Sequence, residues 1–558
     1  MVSISSFIQF ICRIKFNVLN RKNRFNMKAI YKHLKAISLV ICACSMLSSC
    51  DDFLDTKPYD FVAPETFYTN ESECKMALAG VYYTLVYEEI YGNFYSCMIS
   101  NVDDLSYYQR NSGALTSQVY GNDHNAGNQH VWGAWEVLYK GINNANMLLE
   151  NIDNADMEES IKTRMKGEAK FLRAYYHFLL VQGWYEVPLR KEAFKDVNNS
   201  PLEATSHAEA LDWIIQEMED CVDMVDDSDY DLSPSYVKKN TVMGILARVY
   251  LWRAGYPANG GQPYYAKAAE WAKKVKDSNK HHLNPDVYAL WKNLASDQYD
   301  TEYNESIWEA EFIGNRSADG LGNYTDGRIG NVIGNLQQCA TTTGTGYSYG
   351  FYAASLILWD LFDENDLRRD LSIAPYKINN KDEKVDWKDT ELVQRCCGKF
   401  RREWETSSYR DKNWTPENYP ILRYADVLLM LAEAENEANQ GPTDLAYECI
   451  NTIRKRAGVS ELSGLSYADF QQAVRDERGR ELCFESLRKY DLVRWGIYVE
   501  AIHDKLGAAT QDSRWATGNN YIGAKDYAAR TQEKHQFLPI PTKELDVNGK
   551  LQQNKYWQ

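Results

Sequence analysis

Apolar residues recur at helical spacing along most of this chain. In the densest stretch, 419–439, Ile421, Tyr424, Val427, Leu428, Leu431 and Ala434 fall three and four apart and line one face. The spacing predicts a helix over 419–439, with Pro420 just inside its start, where a missing amide costs nothing. Gly441 and Pro442 end it, and Leu445, Ile450 and Ile453 open a second amphipathic helix. The same pattern predicts helices at 73–87, 132–151, 157–185, 206–224, 241–253 and 264–276. A charged helix is expected over 474–496, with Leu482, Phe484, Leu487, Tyr490 and Trp495 as its apolar contacts. A helical pair must bury its stripe against neighbours. Pairs that recur without a clean repeated word read as degenerate repeats stacked into a curved scaffold.

Two regions break the periodicity. In 92–130, Gly, Asn, Ser and Asp dominate, with Tyr107, Tyr108 and Tyr120 interleaved. From 281 to 418 the composition changes again, and Gly, Asn, Thr and Tyr crowd 314–352. Only ESIWEAEF (305–312) reads there as a short strand. Irregular chain of this length within a compact domain is usually functional. The fold class expected is therefore mainly α: a helical repeat scaffold carrying a large irregular, loop-rich region.

Composition narrows the functions. The chain has 558 residues, enough for several domains' worth of core, and a formal net charge of −16. That balance argues against a nucleic-acid partner, whose phosphates need a basic face. No run of eighteen apolar residues occurs, so no helical membrane span is expected. The 39 tyrosines supply apolar rings with hydrogen-bonding tips, useful on wet recognition surfaces. Twelve cysteines without regular spacing fit neither a disulfide framework nor a zinc pattern, and Cys396 and Cys397 are adjacent.

The N-terminus reads as a targeting segment. Lys28, Lys32 and Lys35 precede a short apolar run, 36–47, and then Leu47-Ser48-Ser49-Cys50, which looks like a lipobox with Cys50 as the lipid attachment site. Met27 alone begins a leader of ordinary length, so 1–26 is expected to lie upstream of the true start. Residues 27–49 are then the signal peptide, and 50–72, with two prolines and no helical period, a lipidated tether.

Several motifs suggest chemistry that their context does not support. Gly346-Tyr347-Ser348-Tyr349-Gly350 fits GxSxG, but TTTGTG before it is no buried strand. His503 and His535 lie downstream without any spacing that selects them. His281-His282, His124 and His130 have no ligand partners at helical spacing, so no metal is expected. The acidic run 226–231 lacks the EF-hand order and reads as solvated charge. Glu481, Glu485 and Arg488 fall at helical neighbour spacing, and a structural ion network is expected there. No acid pair stands out for glycoside hydrolysis.

Several stretches resemble known text. LRYADVLLMLAEAEN (422–436) resembles the signature helix of the SusD/RagB family. LYKGINNANMLLENI, KGEAKFLRAYYHFLLVQGWYEVPL and the closing FLPIPTKELDVNGKLQQNKYW resemble that family as well, in the right order. FLD with a proline soon after Cys50 is the family's usual opening. One departure is Trp184-Tyr185-Glu186, where the family usually has Gly-Asp or Gly-Glu. YYAKAAEWAKKVK (264–276) has the small-residue pattern of a tetratricopeptide B helix.

The resemblance implies a tetratricopeptide-like scaffold, with an N-terminal region at 73–280 and a C-terminal region at 281–558 that holds the insertion 281–418. It implies an outer-membrane, lipid-anchored protein facing the cell exterior, with Asp51-Asp52 resembling the family's surface-targeting tag. Its function would be non-catalytic: capture of an oligosaccharide or similar nutrient for a SusC-like TonB-dependent transporter, with no cofactor. A surface glycoside hydrolase or esterase, and a structural lid subunit that never touches ligand, stay open as alternatives.

For a ligand site the physical need is an aromatic ring against the C–H face of a sugar, with Asn, Asp and Arg on its hydroxyl rim. Two irregular regions combine those types. One offers Asn101, Asp103, Asp104, Tyr107, Tyr108 and Arg110; the other offers Asn323, Tyr324, Asp326, Arg328, Tyr347 and Tyr349. These are expected to meet on one face.

Overall fold

The computed structural model describes residues 67–110, 113, 117–194, 201–226, 233–312, 327–407, 409–515 and 522–558. The leader, Cys50, most of the tether, the acidic run after Asp226, and Asn323, Tyr324 and Asp326 lie outside the described residues.

The fold is mainly helical, as the periodicity predicts. The principal helices are α1 (Glu71–Val86), α2 (Gln129–Asn151), α3 (Glu159–Trp184), α4 (His207–Cys221), α5 (Lys239–Ala254), α6 (Gln262–Asp277), α7 (Tyr424–Asn439), α8 (Asp444–Arg456), α9 (Tyr467–Leu482) and α10 (Arg488–Arg494). Polar side chains set several starts: Asn70 caps α1, Asn128 accepts the amides of His130 and Val131 on α2, and Thr443 and Ser466 cap α8 and α9. Each helix from α1 to α8 packs on the next, so α7 follows α6 in the stack although the insertion separates them in sequence. At the α1–α2 crossing a β-carbon on Gly141 would stand 2.5 Å from the Thr84 hydroxyl, so glycine permits the close approach. Trp135, Trp184, Trp252 and Trp308 are all fully enclosed in the core.

The insertion is tied off at its base. Strand β2 (Ser306–Ala310) pairs antiparallel with β8 (Tyr419–Arg423), the chain's exit from and return to the stack. The strand at 305–312 is thus as expected, but the helix expected from 419 is corrected. Residues 419–423 are extended, and the helix begins only at Tyr424. Pro420 stands opposite Glu309 in an irregular register, a place that tolerates a residue with no amide to donate.

Between these strands lie β3 (Gln337–Gln338), β4 (Tyr347–Ser348), β5 (Tyr352–Ala354), β6 (Tyr376–Ile378) and β7 (Lys384–Asp386). Four of them form a small sheet in the order β4-β3-β6-β7. The fifth, β5, pairs instead with β1 (Ser106–Tyr108), in the first irregular region, with Tyr108 opposite Tyr352. This pairing joins the two irregular regions.

The single helix expected over 474–496 is two, α9 and α10. Between them Phe484 (φ 64°) and Ser486 (φ 60°) are left-handed, which turns the chain. The expected ion network is present, but it is buried and its partners are distant in sequence. Arg423 meets Glu481 and Glu485, each at 2.7 Å; Lys399 meets Glu485 at 2.6 Å; Arg368 and Arg454 meet Glu477 at 2.7 and 2.8 Å. Beside it, Asp426 of α7 is held by Arg248 at 2.7 Å and Arg478 at 2.8 Å. Burial alone would raise the Asp426 carboxyl; the two guanidiniums outweigh it and hold it at about 2.

Candidate functional site

The two irregular regions meet, and their contact exposes a row of aromatic rings. From Tyr347 to Tyr352 the side chains alternate strictly. Tyr347, Tyr349 and Phe351 are half-exposed, while Ser348, Gly350 and Tyr352 are buried. Tyr349 stacks on Phe351 with centroids 4.8 Å apart and planes 2° off parallel, and Tyr347 meets Tyr349 edge-on at 5.0 Å. Phe351 lies 5.2 Å from Tyr108, and Tyr108 stacks on Tyr120 at 4.1 Å. Five rings from three separate segments therefore run in continuous contact, and all five are half-exposed.

The strand under the rings is clamped from behind. Buried Arg402 donates to the Tyr347 carbonyl at 2.9 Å, and Asn331 donates to the same oxygen at 3.0 Å. Tyr349 donates its hydroxyl to Asn413 at 3.1 Å, and its amide bonds the Asn331 carbonyl. The Gln109 amide donates to the Phe351 carbonyl at 2.7 Å, which sets the first region against the second. Gly350 makes the inward step with φ +53°; a β-carbon there would stand 2.8 Å from the Cys396 sulfur. Half-exposed rings on a fixed backbone form a strip that is apolar along its length and hydrogen-bonding at the tyrosine tips.

The sequence candidates divide on this face. Tyr108, Tyr347 and Tyr349 are in the row, and Arg110 lies over Phe351 at 4.8 Å. Arg328 is nearby but engaged: it bonds Asn331 at 3.2 Å, faces Glu88 at 3.5 Å and covers Trp414. Asn101, Asp103, Asp104 and Tyr107 are enclosed. The Asp103 carboxylate accepts the amides of Leu105 and Ser106, the turn that leads into β1; burial, with Asp104 beside it, pushes its carboxyl up to about 7. Asp104 pairs with Arg488 at 2.8 and 2.9 Å, and Tyr107 points to the other side of β1, where it donates to the Val393 carbonyl. These four build the loop instead of facing solvent. Asn323, Tyr324 and Asp326 are outside the described residues.

Phe351 and Lys412 belong to the face without having been singled out, and Tyr120, noted in the sequence as an interleaved ring, belongs to it without having been among the candidate contacts. The signal for Phe351 was present in GYSYGFY, whose period of two places rings 347, 349 and 351 on one side. Lys412, whose ammonium lies 4.8 Å from the Tyr347 ring centre, gave no such signal.

Other candidates resolve structurally. Ser348 is fully buried, and its hydroxyl donates to the carbonyls of Asn331 and Gly334, so it is held as a strand residue with no open face. His124 packs against His535 and Trp557, and burial keeps its imidazole well below its ordinary value. Among the described residues no three His, Cys, Asp or Glu side chains gather as a metal site, and no helix is long and apolar enough to cross a membrane.

A cavity of about 530 Å³ lies away from the row, between α1, α3 and β2. Tyr82 donates to Glu168 there, and burial pushes the carboxyls of Glu168 and Glu309 each up to about 7.

Comparison with known proteins gives matches at both ends of the chain. Residues 304–557 match the sequence profile of the SusD family, and residues 52–251 match one described as starch-binding associating with outer membrane. SusD-like protein P25 of Formosa agariphila is 26% identical over 90% of this chain and 95% of its own. Starch-binding protein SusD of Bacteroides thetaiotaomicron is 24% identical over 74% and 76%. The solved structure of a SusD homolog from Bacteroides thetaiotaomicron superposes with a TM-score of 0.78 at 27% identity, covering 88% of this chain and 98% of that one.

Proposed function

Because the chain belongs to the SusD-like family, we propose that it captures glycans at the outer membrane without transforming them. The observation that carries this reading is the half-exposed row Tyr347, Tyr349, Phe351, Tyr108 and Tyr120. A sugar has an apolar C–H face and a hydroxyl rim, and a strip of rings with hydrogen-bonding tips matches both. The description of one matching profile, starch-binding associating with outer membrane, and the name of the starch-binding relative agree with this chemistry.

Isothermal titration against a glycan panel that includes starch and laminarin tests the site. Tyr349→Ala and Phe351→Ala should each weaken binding by roughly 1–3 kcal/mol, by analogy with bases stacked on aromatic side chains. Wild-type affinity in both variants, with loss instead in Tyr236→Ala, a residue that lines the cavity beside Tyr82 and Glu168, would move the site to that cavity.

The finer proposal is an anchor at Cys50 and delivery to a SusC-like TonB-dependent transporter. The basic, apolar and Leu-Ser-Ser-Cys order of the leader supports the anchor, since several acyl chains together hold a protein at a membrane. Partnership rests on family membership. Membrane fractionation and gentle-detergent co-purification of wild type and Cys50→Ala test both. Membrane retention of the variant would overturn the anchor, and recovery of wild type only as a free monomer would overturn the partnership.

A further inference from the structure

We propose that the ring row selects an anionic glycan, one bearing carboxylates or sulfates, with Arg110 and Lys412 as its anion contacts; this rests on the reading of the row as the glycan platform. Arg110 lies 4.8 Å from the Phe351 ring centre and Lys412 4.8 Å from that of Tyr347. Phe351 and Tyr347 flank Tyr349, so the row carries one cation on each side of Tyr349.

Neither cation makes an ion pair within 4.0 Å among the described residues. Acids around this part of the fold are engaged with other partners. Glu405 is held by Arg402 at 2.7 Å and faces Arg410 at 3.5 Å. The Asp411 carboxylate, adjacent to Lys412 in sequence, accepts the amides of Asn413 and Trp414. Glu88 faces Arg328.

The donors of the two cations are largely unspent. A guanidinium has five N–H donors and an ammonium three. The Arg110 charge also lies near the Tyr108 hydroxyl. Attraction to a ring face holds each cation at the row yet leaves N–H groups for a ligand. A planar fork suits a carboxylate or sulfate, and the sugar carrying that group would meet the rings. The chain as a whole is at −16, which repels a polyanion at long range. A preference for anionic glycans here must therefore be local, and salt should screen it.

Matched probes separate the charge from the sugar. Polygalacturonate is compared with its methyl ester, and laminarin sulfate with laminarin, on the purified full chain. The charged member of at least one pair should bind roughly tenfold tighter than its neutral partner, as hydrogen bonds to charged groups allow. That ratio should fall toward one in Arg110→Gln/Lys412→Gln with an unchanged melting temperature. It should also fall between about 0.05 M and about 0.5 M salt. Which pair shows the preference tells uronate from sulfate. Equal binding within both pairs, or a preference that survives the double variant, overturns the proposal. Failure of the underlying reading looks different: Tyr349→Ala and Phe351→Ala would then bind every glycan, neutral or charged, as wild type does.

Discussion

Arg423, at the end of β8 where the chain rejoins the helical stack, and Arg110, in the first irregular region, are both cations set among aromatic residues, but their surroundings are opposite. Arg423 is 3% exposed and spends its fork on Glu481 and Glu485, with Trp291 beside it. Arg110 is half-exposed, lies over Phe351 and meets no carboxylate within 4.0 Å among the described residues. An enclosed charge must be paired, because desolvation otherwise costs more than folding can supply. At a half-exposed site water relaxes that demand, so a charge can stay unpaired and serve a ligand. The network is then expected to control stability and the ring row to control binding, and substitutions should separate the two.

The largest effect is expected from breaking the enclosed set. Arg423→Ala leaves Glu481 and Glu485 without one of their guanidinium partners in a buried site, and removing one partner of a buried pair costs about 3–5 kcal/mol. Chemical denaturation should show that loss, while glycan affinity of the fraction still folded stays at the wild-type value. Equal loss of affinity in that folded fraction would mean that the network also shapes the ring row.

A smaller effect follows from pH. Asp426 is held at about 2 in the folded protein by Arg478 and Arg248 against the pull of burial. A carboxyl depressed on folding adds stability above its unfolded value, near 3.9, and loses it as pH falls from there through the folded value. At about 1.4 kcal/mol per unit the contribution is roughly 2–3 kcal/mol, complete at neutral pH and lost progressively as the pH falls through the folded value of about 2. Denaturation midpoints of wild type and Asp426→Asn across pH 2–5 should converge as the pH drops. Parallel curves would remove Asp426 from the acid response.

What the sequence conveyed divides along the same line. The helices of the stack were legible because each buries a stripe, and a stripe has a period. The network's location was legible from Glu481 and Glu485, but not its depth. Spacing along one helix cannot reveal Arg423, Lys399 or Arg368, which the fold brings from other elements. The strand at 419–423 was misread because Ile421 and Tyr424 fit helical spacing, and its partner, β2, lies far away in sequence. The break after Leu482 carried no glycine or proline; Phe484 adopts a left-handed turn that its residue type does not announce. At the proposed ligand face, residue type picked out Tyr108, Tyr347 and Tyr349 of the ring row and Arg110 over Phe351, but also took in the enclosed Asn101, Asp103, Asp104 and Tyr107. Those four are the types that build a loop as well as those that contact a sugar, and only burial tells them apart.

The smallest effect should come from a third arrangement of charge, paired like Arg423 but wet like Arg110. Arg514 makes a two-pronged contact with Asp360 at 2.7 and 2.8 Å and also bonds Asp512, on side chains 35–49% exposed. The geometry is as good as any in the buried network, and its hydrogen bonds push the Arg514 guanidinium further up. Even so, water solvates both partners when they are apart, salt screens them, and two side chains lose freedom in holding one position. Distance alone would rank this pair beside Arg423 and Glu481. Exposure ranks it far below, and Arg514→Ala should leave the melting temperature within the scatter of replicate scans, at low and high salt alike. A drop approaching that of Arg423→Ala would show that geometry, not enclosure, sets the worth of an ion pair in this fold.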